Sequence, residues 1–186
     1  LRTDAKLPQE YRPVIEDLYK RVCKAIDLTT TFLQSTSVNH GLVHSKDFKV
    51  IDLVPILRDS IAHAQSIAIT KRINVRTDVV FEQPILIKGD PQNIRLVFDN
   101  LLSNAIKYSP EGALVSLSHA YSGRKPSFSV HDQGIGIPPG DIKSIFSGFH
   151  RAQNAKRPGT PGSGFGLYLV KKIVDLHGGT ITCQSK

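Results

Sequence analysis

The chain predicts an α+β domain, a two-layer sandwich with helices on one face of a mixed sheet, preceded by a helix of a different kind. Three observations carry that expectation. Between residues 52 and 184 the apolar pattern runs helix, two strands, helix, two strands, irregular loop, helix, strand, an order that suits helices layered on a sheet. Capping residues precede the helical patterns, and Gly178-Gly179 closes the last of them. Residues 8 to 37 instead carry apolar positions spaced by fours and threes, the period of a coiled-coil or bundle seam.

That first helix runs from Pro8 to about Ser37, with Tyr11, Ile15, Leu18, Val22, Ala25, Thr29 and Phe32 along its seam. Val14, Ile26, Leu28 and Leu33 widen the apolar surface, which suits a bundle of several helices. The alternative is a helix packed on its own domain. The polar stretch SVNHGLVHSKDF reads as a linker, so residues 1–45 form the helical unit and linker, and residues 46–186 a second domain. There Asp52 caps an amphipathic helix through Leu53, Ile56, Leu57, Ile61, Ala64 and Ile67. INVRTDVV and PILIKG read as short strands on either side of a turn at Glu82 to Pro84. Asp90-Pro91 starts the next helix, with aspartate capping and proline at the first helical position. ALVSLSHAY and PSFSVHD are strands joined through SGRKP, and TITCQ begins another after a helix from about Ser163 to His177. Residues 138 to 161 are rich in Gly, Pro, Lys and Arg and are too many for a plain connection, which marks a functional lid or disorder.

Composition narrows the function. A hydrophobic share of 40% with 22% charged residues describes a globular chain that can bury a core. No apolar run reaches the roughly 20 residues of a membrane span, and no signal-peptide pattern opens the chain, so the expected location is cytoplasmic. Any membrane anchor would belong to the parent protein. Cys23 and Cys183 lack metal-ligand spacing and read as free thiols in a reducing compartment. The net charge of +8 suits a polyanion, either a nucleic acid or a nucleotide triphosphate. Because the charges are scattered and only 7% of residues are aromatic, a nucleic-acid platform is not expected.

The sharpest local feature is DNLLSNAIKYSP, residues 99 to 110. Asparagine is a mediocre helix former, because its amide competes for backbone groups, yet Asn100 and Asn104 stand one turn apart in a helix. With Lys107 and Tyr108 they share one face, while Ile94, Val97, Phe98, Leu101, Leu102 and Ala105 form the buried side. An amide oxygen is a hard ligand that Mg²⁺ accepts while keeping waters, lysine offers a point charge for phosphate, and tyrosine a flat surface. A solvated face is the competing reading. Two glycine clusters weigh against it. In DQGIGIP, residues 132 to 138, Gly134 and Gly136 allow close backbone approach and Asp132 offers an acceptor at a strand end. In GSGFGLYLV, Gly162, Gly164 and Gly166 stand at a helix N-terminus, where free N–H groups and the helix dipole gather phosphate. Neither a Walker loop nor a Rossmann turn fits, for lack of GK[ST] and of a leading strand.

DNLLSNAIKYSP, DQGIGIP, IFSGFHRAQN and GSGFGLYLVKKIVDLHGG resemble, in order, the N, G1, F and G2 boxes of sensor histidine kinases. Four boxes at family-like spacing are highly specific, and the resemblance covers roughly residues 50 to 184. It implies a Bergerat-type ATP fold, with Asn104 as Mg²⁺ ligand and Asn100 supporting the polyphosphate site. It also implies that Lys107 contacts phosphate, that Tyr108 lines the nucleotide pocket, and that Asp132 reads the adenine amino group. Gly134, Gly136 and Ile137 would shape that wall, and Gly162, Gly164, Gly166 and Leu167 would cradle phosphate. Phe146 and Phe149 would anchor the lid, Arg151 would lie near the phosphates or the phosphotransfer interface, and Lys156 and Arg157 are further phosphate candidates. Gyrase and the mismatch-repair ATPases carry a glutamate where Asn100 stands, which activates water. An asparagine amide cannot act as that base, so the site favours holding ATP for transfer to another nucleophile.

The acceptor is the gap in this resemblance. None of the seven histidines, His40, His44, His63, His119, His131, His150 and His177, has the His-Glu/Asp-Leu-Arg-x-Pro context of an H box. LRTDAKLPQEY fits the loop between two bundle helices, so the acceptor helix is expected upstream of this chain, and the closing strand of the fold beyond its end. The F box departs as well, with Ser147-Gly148 and His150 where acidic and Tyr or Trp residues are common. The implied activity is a protein-histidine kinase using ATP and Mg²⁺, a homodimer through its first helix, with a response-regulator receiver domain as partner. A degenerate kinase serving as nucleotide sensor or scaffold, and a Bergerat-fold ATPase, are the alternatives.

Overall fold

The computed structural model describes residues 11–15, 17, 18, 21, 22, 29, 48–123, 125–156 and 163–185. The described residues from 12 to 29 are helical, and the seam residues Tyr11, Ile15, Leu18 and Val22, with Val14 beside them, are all exposed. Ala25 and Phe32 of the expected seam, the widening residues Ile26, Leu28 and Leu33, and Cys23 lie outside the described residues.

The second domain opens with a strand the sequence reading places in or next to the linker. β1 (Lys49–Asp52) pairs antiparallel with β3 (Leu86–Gly89), Asp52 facing Leu86. Four residues with charged ends carry too short a pattern to announce a strand. Asp52 then serves twice: its Oδ1 accepts from the Val54 N–H at 3.0 Å, capping α1 (Leu53–Ala68), and from the Ile85 N–H at 3.0 Å, fixing the approach to β3. α1 buries Leu53, Leu57, Ile61 and Ala64 along one face.

β2 (Asn74–Thr77) runs parallel to β4 (Leu114–Ser122), which is antiparallel to β5 (Lys125–His131). The sheet is therefore mixed, as expected, with β1 and β3 forming a separate two-stranded piece. Val115 and Leu117 point into the core and are fully buried, while Ser116 and Ser118 alternate to the other face. α2 (Pro91–Tyr108) lies between two packing partners. Ile94, Phe98, Leu102, Ala105 and Ile106 join α1 and the sheet, whereas Val97 packs with Phe165, Leu169, Val170 and Ile173 of α3 and its approach. Burying a side chain such as Leu102 contributes roughly 1.5–3 kcal/mol, so α2 is held on two sides by the core.

α3 (Gly166–Leu176) starts later than the expected Ser163, because Gly164 sits at φ +73°, outside the helical region, and Ser163 instead accepts from the Phe165 N–H at 3.3 Å. Its end is the anticipated glycine stop: Gly178 is at φ +70°, and the Gly179 N–H returns to the Val174 carbonyl at 2.9 Å. His177 locks this end to the rest of the domain. Its Nδ1–H donates to the Ile173 carbonyl at 2.8 Å, its Nε2 accepts from the Asp90 N–H at 3.1 Å, and its ring stacks on Phe48. The strand expected over TITCQ does not form. Residues 180–185 have no ladder partner among the described residues, and they are tied in by Ile181 on the α3 core and by the Ile137 N–H to Ser185 Oγ bond. Alternating Thr and Ile fit a pleated surface, but a strand also needs an edge in register.

Candidate functional site

α2, the loop after β5 and the approach to α3 converge on one cleft of about 1790 Å³. It continues toward Leu53 and Ile87, so a ligand of nucleotide size fills only part of it. Its wall contains Asn100, Asn104, Lys107, Tyr108, Asp132, Gly134, Gly136, Ile137, Arg151, Gly164, Gly166 and Leu167. Sequence segments as far apart as residues 100 and 167 thus meet in one place. Gly162 and Arg157 lie outside the described residues. Phe149 and Lys156 are described but do not line the cleft. Phe149 is 66% exposed, at φ +62°, with its ring 5.0 Å from that of Phe165, and Lys156 is exposed.

The two asparagines differ in state. Asn100 Nδ2 donates to the Leu96 carbonyl at 2.8 Å, and its Oδ1 lies 2.5 Å from where a Cβ on Gly166 would stand. Gly166 is therefore a close-approach glycine that lets the start of α3 rest on Asn100. Asn104 is half-buried and its side chain makes no hydrogen bond to the described residues, which leaves its amide oxygen open to a ligand. Lys107 stands over the Tyr108 ring, Nζ 4.9 Å from its centroid. Tyr108 also works through its backbone: its carbonyl accepts from the Ile135 N–H at 3.2 Å and lies 2.9 Å from a Cβ position on Gly134.

Asp132 forms the opposite wall. Its Oδ1 accepts from the Gly134 N–H at 2.8 Å, which orients the carboxylate at the strand end. Cys183 was read from sequence as an ordinary free thiol, and among the described cysteines it is free, but it lines the same cleft. Burial first, and then the Asp132 charge, push its pKa up, so it stays protonated at neutral pH.

At the mouth of α3 the Leu169 N–H donates to the Phe165 carbonyl at 3.0 Å, and no acidic residue occupies the first turn. That end offers N–H groups and a positive dipole end to an anion. The loop over residues 138–156 is fastened by polar side chains. Asp141 takes His150 Nε2 at 3.1 Å and the Gln153 N–H at 2.9 Å, Asn154 Nδ2 donates to the Gly136 and Ile135 carbonyls, and Arg151 Nη2 donates to the Ala155 carbonyl. Asp141 and Asn154 carry no role that the sequence announces, because Asn154 binds only backbone carbonyls and Asp141 joins a backbone N–H to a histidine nine residues away. The His150 carbonyl lies 2.6 Å from a Cβ position on Gly164, so this loop rests directly on that glycine.

Residues 89–186 match the family model described as histidine kinase-, DNA gyrase B-, and HSP90-like ATPase. The chain belongs to this family. The sensor histidine kinase YkoH of Bacillus subtilis is 34% identical over 185 residues, covering 100% of this chain and 39% of that protein. The mycobacterial sensor histidine kinase MprB has a solved structure that superposes with a TM-score of 0.60 at 28% identity, covering 70% of this chain and 82% of that one. The ATP binding domain of PrrB from Mycobacterium tuberculosis gives 0.54 at 28% identity, over 72% and 84%. Its histidine kinase relatives share the α+β domain described above. The chain spans about 39% of the length of its YkoH relative.

Proposed function

We propose that this chain is the ATP-binding catalytic portion of a sensor histidine kinase, joined to part of its dimerisation helix. The observation that carries the reading is the convergence of Asn104, Lys107, Asp132 and the α3 N-terminus on one cleft. Asn104 has an open amide oxygen, and a single neutral oxygen is the kind of ligand Mg²⁺ takes when phosphates and waters complete its shell. When bound there, Mg²⁺ supplies charge neutralisation for the phosphates.

The chain's own residues then divide the work. Asp132 accepts a hydrogen bond from the adenine amino group, and Gly134, Gly136 and Ile137 shape that wall. Tyr108 lines the pocket, Lys107 contacts phosphate, and the α3 N-terminus at Gly164, Gly166 and Leu167 cradles it. Asn100 supports the polyphosphate side and offers no general base for water. In the transfer the γ-phosphorus forms a bond to an imidazole nitrogen, its bond to the bridging oxygen breaks, ADP leaves with the electron pair, and the imidazole proton goes to solvent. Residues 1–45 belong to the dimerisation and phosphotransfer unit, and the exposed Tyr11, Val14, Ile15, Leu18 and Val22 stripe supports pairing with a second copy. A response-regulator receiver domain is the onward acceptor. Among the described residues no helix is long and apolar enough to cross a membrane.

Adding the chain, with labelled ATP, to a separate helical hairpin that carries an H box should produce acid-labile phosphohistidine on the hairpin. ATP binding and hairpin docking without any transfer would refute the kinase reading.

A further inference from the structure

The end of α2 is finished by a residue from outside it. Lys71 closes the 3₁₀ turn Ile69–Lys71 that follows α1, and its half-buried side chain reaches the last turn of α2. Its Nζ donates to the carbonyls of Lys107 at 2.7 Å, Ile106 at 3.1 Å and Ser109 at 3.4 Å. Three donors of one ammonium thus serve three carbonyls that the helix leaves without partners. The backbone of the same residue holds the next loop, since the Lys71 carbonyl accepts from the Gly112 N–H at 3.4 Å.

Tyr108 is the carbonyl that Lys71 leaves out of this set, and it is the one that receives the Ile135 N–H at 3.2 Å. The partition orients the end of α2. With the flanking carbonyls gathered to one side, the Tyr108 carbonyl is held toward the glycine loop, against which Gly134 leaves no room for a Cβ. Lys107 and Tyr108, both in the cleft wall, occupy this same turn. Lys71 itself does not line the cleft.

We infer that Lys71 is a positioning residue for nucleotide binding: its ammonium fixes the last turn of α2, and through the Tyr108 carbonyl it sets the separation between the Lys107–Tyr108 wall and the Asp132 loop. The inference rests on the reading of this cleft as a Mg–nucleotide site. An ammonium also offsets the negative end of the α2 dipole beside a place where phosphate charge gathers, a role neutral replacements cannot take. Arginine, with five donors and a fixed charge, can take much of it.

The test uses the full 186-residue chain and MgADP as probe, with calorimetry at a temperature where circular dichroism shows every variant folded. Lys71→Met should weaken MgADP binding about tenfold, Lys71→Arg about twofold or less, with Lys71→Gln between them, following the hydrogen bonds each can restore. Arg72→Ala, which loses only an exposed ion pair with Glu111, should bind as the parent does. Hydrogen exchange at the Ile135 amide, measured without nucleotide, should quicken in the Met variant and return to the parent rate in the Arg variant. A Lys71→Met protein with a lower melting temperature but parental MgADP affinity and parental Ile135 exchange would reduce Lys71 to a structural cap and overturn the inference. If the Met variant does not fold, equal affinities for the Gln and Arg variants would overturn it as well. If the parent chain itself fails to bind MgADP, the nucleotide reading fails, and unchanged Ile135 exchange across the series would separately reject the role of Lys71.

Discussion

Along α2, Asp90 closes one end and Lys71 the other, and core side chains on two faces fix the helix between α1 and α3. Between residues 138 and 156, by contrast, Ile145, Ala152 and Ala155 are the buried apolar groups, and the segment is fastened by Asp141, Asn154 and Arg151. Both line the same cleft. The first is secured by apolar burial and by hydrogen bonds its neighbours impose. The second is secured by a few polar clasps, each of which water can replace. A rigid helix suits recognition that must stay in register, and a clasped loop suits a cover that must open for nucleotide exchange.

The comparison can be broken most forcefully at Phe98. Its ring lies on α2 against Phe128, and Phe98→Ala should destabilise the domain by about 3–5 kcal/mol in a denaturant melt. A loss below about 1 kcal/mol would show that α2 is not held by the core in the way proposed. Gly164→Ala probes the joint between the two regions. Its Cβ would stand 2.6 Å from the His150 carbonyl, a clash the loop can relieve by lifting, while the φ of +73° adds a backbone strain of order 1–3 kcal/mol that stays with residue 164. Nucleotide affinity should fall about tenfold, the conversion of roughly 1.4 kcal/mol, and the melting temperature should drop by a few degrees from the backbone strain. Equal affinity would mean that the lid does not cover the nucleotide.

The smallest effect concerns Cys183, which lines the same cleft. Because burial and Asp132 raise its pKa, the thiolate appears only at higher pH than for an exposed thiol. In a Cys23→Ser background, alkylation of Cys183 should therefore begin to quicken above the usual thiol range, and Asp132→Asn should bring that onset to lower pH. MgADP should slow the reaction. Alkylation at the rate of a free thiol, indifferent to nucleotide, would remove Cys183 from the site.

Much of this was legible in the residues themselves. Asp52 and Asp90-Pro91 mark their helices because caps act locally, and the alternation of Val115 and Leu117 with Ser116 and Ser118 marks its strand through period alone. The asparagine stripe and the glycine clusters pointed to their cleft because each placed a residue type where its chemistry conflicts with its local structure. What stayed hidden depends on distant partners. β1 exists because β3 offers it an edge, and TITCQ forms no strand because no edge among the described residues meets it in register. Phe149 carries an F-box position yet turns out of the cleft, since a left-handed backbone at φ +62° sends its ring to Phe165. Lys71 and Asn154 bind backbone carbonyls, and Asp141 a backbone N–H beside its His150 contact; a sequence shows which side chains can donate or accept but not which backbone group will be near.

The central claim is that Asn104 places a Mg²⁺-bound nucleotide in this cleft. Its most direct test is a calorimetric titration of the parent chain and of Asn104→Ala with ATP, each with Mg²⁺ and with EDTA in excess. The account predicts binding by the parent that weakens strongly without Mg²⁺, and loss of that Mg²⁺ dependence, with affinity down about a hundredfold, in a variant that melts like the parent, as expected when a charge-bearing contact is removed. Equal affinities for parent and variant in the presence of Mg²⁺ would contradict it.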